Sequence, residues 1–347
     1  MPRSLRFDPI FVLAIGFLIV FSIFILRSTA PGMFPVYLFF IFLSILAFII
    51  FSFIDFEVIS VFSKHLYIGS IILLLLTFIL GRVTRGVVRW IPIGSLTIQA
   101  AEIVKPFLLV FFSNYLIGSQ VNGFRIVKSL VLALIPVMLI LIQPSFSVGF
   151  LLATGFLGVF IASNIDKKYF LYLIVFFTVF FPLIWFLLAP YQKVRITGFL
   201  NPYSDPQGAG YNSIQAVIAV GSGGFLGRGL GKGVQTQLSF LPEKYNDFIF
   251  AAISEELGFI GGFLVIIAFF LILFRLSSFI GNAVSPQARG YLAGIFTTLI
   301  TQIFIHIGMN LGVLPITGLP LPLVSGGGSS LLATMIALGI ALGARRR

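Results

Sequence analysis

Pro9-Ile-Phe-Val-Leu-Ala-Ile-Gly-Phe-Leu-Ile-Val-Phe-Ser-Ile-Phe-Ile-Leu-Arg27 carries no charge before its last residue. About 20 apolar residues in helical form match the ~30 Å hydrocarbon thickness of a bilayer. The run has no period-two alternation, which excludes a long half-buried strand. A second run at 34–54 follows with no small-residue cleavage site between them, so the first reads as a retained span and not a cleavable signal. Working outward, the pattern recurs at 66–81, 103–118, 128–143, 147–163, 168–188, 248–275, 290–313 and 329–344. These ten runs predict an all-α polytopic membrane protein, a single transmembrane unit over 1–347. Composition agrees: 59% of residues are hydrophobic and 9% charged, against about 25% charged in a soluble domain. An ordinary soluble enzyme, a disordered chain and a nucleic-acid module are excluded. The net charge of +12 then reads as loop charge that orients the spans. No cysteine is present, which removes disulfides and thiolate chemistry, and the two histidines, His65 and His306, lie too far apart in sequence to suggest zinc. No clear internal repeat supports an inverted-repeat transporter.

With the N-terminus inside, twelve of the 22 Lys and Arg fall on the cytoplasmic side, nine outside, and Lys105 within a span. Both termini are therefore expected in the cytoplasm, in a multi-pass arrangement. Residues 189–246 become a large extracytoplasmic loop between spans seven and eight. Nine of the 35 glycines fall between Gly208 and Gly233, and Ser213–Val220 is helix-like. Loops of this length are usually functional or disordered; the apolar content predicts an ordered, membrane-surface lid. A second polar break, Pro315–Ser330, faces the same side.

Three arginines, Arg82, Arg85 and Arg89, crowd a short outer loop, against the positive-inside tendency. They read either as interfacial snorkelling or as a site for an anion. Asp247 opens span eight and could serve as helix N-cap or as a general base at an outer cavity. Glu255 and Glu256 lie about 12 Å deeper on that helix, and Glu243 lies in the outer loop. Glu102 and Lys105, three residues apart, could form an internal ion pair or part of a polar site. Val324-Ser-Gly-Gly-Gly-Ser-Ser330 runs into span ten, where backbone N–H groups with Ser329 and Ser330 can hold an anion. Together these suit a lipid-linked phosphate or diphosphate.

Several strings carry a family resemblance. They are Phe199-Leu-Asn-Pro-Tyr-Ser-Asp-Pro-Gln-Gly208, Gly210-Tyr-Asn, Ile218-Ala-Val-Gly-Ser-Gly-Gly224, Phe240-Leu-Pro-Glu-Lys-Tyr-Asn-Asp-Phe-Ile-Phe250 and Glu255-Glu-Leu-Gly258. Gly308-Met-Asn-Leu-Gly-Val-Leu-Pro-Ile-Thr-Gly-Leu-Pro-Leu-Pro322, Ser325, Gly327-Gly-Ser-Ser330 and Arg89-Trp-Ile91 with Gln99, Glu102 and Lys105 add to them. Over roughly 80–347 the chain resembles the SEDS family of shape, elongation, division and sporulation proteins, the RodA type more than the FtsW type; residues 1–80 match in hydropathy only. The resemblance implies a peptidoglycan glycosyltransferase of the bacterial cytoplasmic membrane that polymerises lipid II, an undecaprenyl-diphosphate disaccharide-peptide. It implies a class B penicillin-binding protein as partner, and it places the family's essential aspartate at Asp247. The chain departs from the family at Ala100-Ala101, where Pro-Ser is usual, at Ser145, where an acid is usual, and at Tyr245-Asn246, where His-Thr is usual. Arg82, Arg85, Arg89 and Lys105 are the candidates for the diphosphate leaving group; a divalent cation is neither required nor excluded. A lipid II flippase, a division-type polymerase or a non-catalytic scaffold are the alternatives.

Overall fold

The computed structural model describes residues 7–84, 87–94, 96–117, 123–163, 169, 190–208 and 210–345. Nine of the ten apolar runs are helices. They are α1 (Pro9–Thr29), α2 (Phe34–Phe53), α4 (Ser63–Leu80), α5 (Ala100–Ile117), α6 (Gly123–Ile142), α7 (Phe146–Ala162), α11 (Ile249–Gly281), α12 (Pro286–Asn310) and α13 (Gly328–Gly343). Seven of them are long and apolar enough to cross a membrane; α7 and α13 are shorter. The seventh run, 168–188, lies outside the described residues apart from residue 169. Short helices complete the set: α3 (Phe56–Val61), α8 (Pro190–Leu200), α9 (Tyr211–Ser222) and α10 (Val234–Gln237). The helix expected at 213–220 is the core of α9.

Helix starts follow the sequence. Asp8 accepts from the Phe11 N–H at 3.0 Å, with Pro9 at the first helical position, where its missing N–H costs nothing. The same carboxylate takes charged bonds from Arg275, at the far end of α11, and from Arg345. Burial alone would push the Asp8 carboxyl up; the Arg275 bond, the Phe11 N–H and the two guanidinium charges outweigh it and hold the group below the usual carboxylate range. One acid thus ties the N-terminal end, the C-terminal end and α11 together. Ser285 caps α12 in the same manner, accepting from Ala288 at 3.2 Å.

Inside a bilayer, helices gain little from hiding apolar surface from one another, so close packing through small residues carries the association. Every residue of α13 from Ser329 to Gly343 is buried, as expected of a helix that is apolar on all sides. It lies along α2, where a side chain at Gly339 would meet the Phe48 carbonyl at 2.8 Å. The α7–α12 contact is built likewise: a side chain at Gly294 would meet Val159 at 2.9 Å and the Gly155 carbonyl at 3.0 Å.

One expectation needs correcting. The arginine-bearing connection is no simple loop but a three-stranded antiparallel sheet, β1 (Arg82–Thr84), β2 (Val87–Ile93) and β3 (Leu96–Ile98), in that order. Arg82 pairs with Trp90, and Ile91 with Ile98. Val87-Val-Arg-Trp-Ile-Pro-Ile93 is β-branched and aromatic, which favours a pleated surface; the run is too short to register as a span. The sheet delivers the chain to Gln99 and the start of α5.

Candidate active site

Asp247 is half-buried and sits one residue before the cap position of α11, which is Phe248; no side chain of that residue bonds the first turn. Of the two readings open for Asp247, N-cap or general base, the first is not needed for the Ala251 N–H, whose acceptor comes from another helix. Asn310, fully buried at the end of α12, accepts from the Ala251 N–H through Oδ1 at 3.0 Å. Its Nδ2 donates to the Asp247 carbonyl at 3.1 Å and to the His306 carbonyl at 2.7 Å. Two more donors hold the preceding residues. The Gly326 N–H donates to the Tyr245 carbonyl at 2.9 Å, and the Ser325 hydroxyl to the Asn246 carbonyl at 2.7 Å. Three successive carbonyls are thus gripped by the 310–326 segment. On the other side the Glu243 carbonyl accepts from the N–H groups of Asn246 and Phe248, with Glu243 itself at φ +51°. Glu243 supports the turn through its backbone.

The Asp247 carboxylate faces Gly318. A side chain there would lie 3.4 Å from Asp247 Oδ2 and 3.9 Å from Arg195 Nη1. Arg195, an exposed residue of α8, also donates to the Ile316 carbonyl at 3.5 Å. A guanidinium and a carboxylate therefore share the space over Gly318, which is glycine with φ +72°.

Next to this lies the start of α13. Ser329 Oγ accepts from the Gln99 N–H at 3.0 Å, joining α13 to the end of the sheet. Ser330 Oγ is buried and has no hydrogen-bond partner among the described residues; the same holds for Asn246 Oδ1. Both face Gly327: a side chain there would lie 3.4 Å from Asn246 Oδ1 and 3.6 Å from Ser330 Cβ. First-turn N–H groups have no acceptor within their own helix, so unsatisfied polar atoms converge beside Asp247. Buried polar groups are normally paired; the Ser330 hydroxyl and the first N–H groups of α13 are donors that suit an anion, whereas Asn246 Oδ1 is an acceptor and calls for a donor.

Glu102 and Lys105 form a buried pair at 2.7 Å on the first turns of α5. Lys105 also lines a cleft between α5, α12 and α13 with Thr298, Gln302 and Thr334. Both sequence readings of this pair, internal ion pair and polar site, meet here. Gln99 Nε2 donates to Ser145 Oγ at 3.3 Å, which ties the start of α7 to the residue before α5. Arg89 is half-buried on β2, its guanidinium 5.9 Å from the Trp90 ring. Arg82 is on β1, and Arg85 lies outside the described residues.

Glu255 and Glu256, both fully buried, do not approach Asp247; they latch the loop. Glu255 accepts from the N–H groups of Gln235 and Thr236 at 2.8 and 3.0 Å, at the start of α10. Glu256 accepts from Ser28 Oγ and from Gln237 Nε2, each at 2.9 Å. Lys244 bonds the Thr236 carbonyl. Burial pushes its ammonium below the usual lysine range, with Glu256 and Glu255 opposing. Among the described residues no three His, Asp or Glu side chains lie together to hold a metal. Sequence reasoning missed Asn310, Arg195 and Asn246 as site residues. A polar side chain closing the long apolar run of α12 was the signal for Asn310; nothing local distinguishes Arg195 from other loop cations.

A family profile described as cell cycle protein, FTSW_RODA_SPOVE, matches residues 3–347. It includes the first 80 residues, beyond the reach of the quoted motifs. The peptidoglycan glycosyltransferase MrdB of Escherichia coli K12 is 37% identical over 285 residues, 81% of this chain and 76% of that protein. A probable peptidoglycan glycosyltransferase FtsW of Buchnera aphidicola is 38% identical over 291 residues, 81% of each chain. Among solved structures, a chain of a peptidoglycan synthase complex that coordinates polymerization and crosslinking superposes with TM-score 0.83 and 29% identity. That match covers 98% of this chain and 97% of the other. The rod shape determining protein RodA of Thermus thermophilus superposes with TM-score 0.74 and 25% identity, covering 99% and 97%.

Proposed function

The chain belongs to the FTSW_RODA_SPOVE family of cell cycle proteins, and from that premise we propose that it is a peptidoglycan glycosyltransferase of the RodA type. It polymerises lipid II at the outer face of the cytoplasmic membrane, with both termini in the cytoplasm and a class B penicillin-binding protein as partner. The observation that carries this reading is Asp247, held through its backbone carbonyl by Asn310, near the buried and unpartnered Ser330 hydroxyl at the start of α13. A sugar hydroxyl of the acceptor attacks the anomeric carbon of the donor. The bond from that carbon to the diphosphate breaks, and the lipid diphosphate leaves with the electron pair. Asp247 takes the hydroxyl proton as the new bond forms, since an alkyl hydroxyl is a weak nucleophile without a base. Donors aimed at the developing charge on the leaving group lower the barrier further. In this reading Ser330, the first N–H groups of α13 and Arg195 serve that role, with Arg89 and Lys105 as further candidates.

A flippase would use the same buried polar groups without bond chemistry. Purified protein with lipid II in detergent, resolved on a gel, separates the two: glycan polymer with no other polymerase present supports the proposal. Intact lipid II recovered from a folded protein that moves it across vesicle membranes refutes it.

A further inference from the structure

Gly258 breaks α11 (φ 66°, ψ −162°). Backbone bonds lost at the break are supplied by the glycine-rich strap ahead of α10. The Glu255 and Glu256 carbonyls accept from the N–H groups of Arg228 (3.0 Å) and Gly229 (2.9 Å). The N–H groups of Phe259 and Ile260 donate to the carbonyls of Gly224 (2.9 Å) and Phe225 (3.3 Å). A side chain at Gly227 would collide with the Glu256 carbonyl, and one at Gly258 with the Gly227 nitrogen. The strap is therefore pinned to the break at backbone contact.

Helix length sets the level of the break. Phe259–Gly281 at 1.5 Å per residue is about 34 Å, enough alone for the ~30 Å hydrocarbon core. Residues 249–256 are buried in protein, whereas Phe259, Ile260 and Phe263 are exposed. The lipid-facing part of α11 begins at Gly258, and the strap lies beside that edge. Phe225 stacks on Phe259 at 5.8 Å and Phe259 on Phe263 at 5.6 Å, which carries the lipid-facing row onto the strap. Phe225 is 66% exposed, Leu226 74% and Leu230 48%. Between Asp205 and Glu243 the only charged residues are Arg228 and Lys232, both exposed. Apolar side chains at the level of the hydrocarbon edge, flanked by cations and free of acids, fit the surface of an anionic bilayer.

We propose that Gly223–Lys232 is an interfacial membrane anchor. Phe225, Leu226 and Leu230 enter the leaflet at the Asp247 end of the bundle, and Arg228 and Lys232 rest on the phosphates of anionic phospholipids. The anchor holds whatever reaction the site performs.

The chain lacks cysteine, so a single Leu226→Cys label reports depth; the side chain is exposed and its replacement spares the fold. Gln207→Cys, in the same polypeptide stretch but off the strap, is the control. The probe is a nitrobenzoxadiazole label in vesicles of phosphatidylethanolamine and phosphatidylglycerol. At 226, lipids carrying a shallow doxyl group should quench the fluorescence and aqueous iodide should not; at 207 the order should reverse. Iodide quenching at 226 without doxyl quenching overturns the proposal. So does shielding from iodide that appears only when a class B penicillin-binding protein is added, which would make the strap a protein dock. Replacing both cations, R228Q with K232Q, should weaken doxyl quenching at 226 in phosphatidylglycerol vesicles and leave it unchanged in phosphatidylcholine. Equal quenching of both proteins in both vesicles overturns the phosphate contact.

Discussion

Asp247→Asn separates chemistry from architecture because the cap of α11 is supplied in trans. The Ala251 N–H and the Asp247 carbonyl are both held by Asn310, and neither bond involves the Asp247 carboxylate. Asn keeps the shape of Asp and loses its charge near a helix start and beside the exposed Arg195 guanidinium, a loss of about 0.3–1 kcal/mol against the dipole and about 0–1 kcal/mol against an exposed cation. The variant should insert, fold and melt close to wild type. As the base, however, Asn cannot take the hydroxyl proton, and the rate should fall by roughly 10²–10⁴, about 3–5 kcal/mol in the barrier. Polymer yield from lipid II and the melting temperature are to be read on one purified preparation in one detergent. A folded Asp247→Asn protein that polymerises near the wild-type rate would show that the base lies elsewhere. A variant that loses activity and melts many degrees lower would show that the carboxylate holds the fold.

Asn310→Ala should behave oppositely. It orphans the buried Ala251 N–H and the Asp247 carbonyl, at roughly 1–3 kcal/mol each, so melting temperature and kcat fall together because Asp247 keeps its carboxylate but loses its aim; an unchanged melting temperature would contradict the clamp. In Glu255→Gln one acceptor oxygen becomes an NH2 facing a backbone N–H, and bonds to a charged acceptor are worth about 1.5–3 kcal/mol. Faster limited proteolysis within 233–246 is expected, with polymer per folded molecule retained. Gly258→Ala forces a side chain into the left-handed region against the strap, a backbone cost of roughly 1–3 kcal/mol, and thermal unfolding in detergent should register it. If Arg89 grips diphosphate, Arg89→Ala should raise KM for lipid II and Arg89→Lys should restore it only in part, because a planar fork holds phosphate better than a point charge; full activity in both returns Arg89 to interfacial anchoring.

Nine helices were legible because each apolar run is long and interrupted by charge or proline at its ends, so periodicity was hardly needed. Asp247 stands out as the candidate from the motif around it, and the depth of Glu255 on the same helix suggests a supporting role; the bonds by which Glu255 latches Gln235 and Thr236 show only in the structure. The sheet at 82–98 was not, since seven residues such as Val87–Ile93 look alike as strand or loop until the pairing of Arg82 with Trp90 is seen. The Gly258 break was also hidden. A glycine inside an apolar run costs a helix only about 1 kcal/mol, and its non-helical backbone depends on the strap some 30 residues earlier.

The site residues missed by sequence share one physical trait. Asn310, Asn246 and Arg195 act through contacts 60 or more residues away in the chain, as with Asn310 to Asp247 and Arg195 to Ile316. No local pattern encodes such a contact, whereas an acid in an apolar chain stands out alone. Sequence therefore points to the acid, and structure to the groups around it. Aim matters here because Asp247 belongs to a turn, not to the regular part of α11. A turn residue has no helical hydrogen-bond ladder to fix its direction, so its three carbonyl clamps must do so. This is why the 310–326 segment, which contributes no carboxylate, is as necessary to the proposed reaction as Asp247 itself.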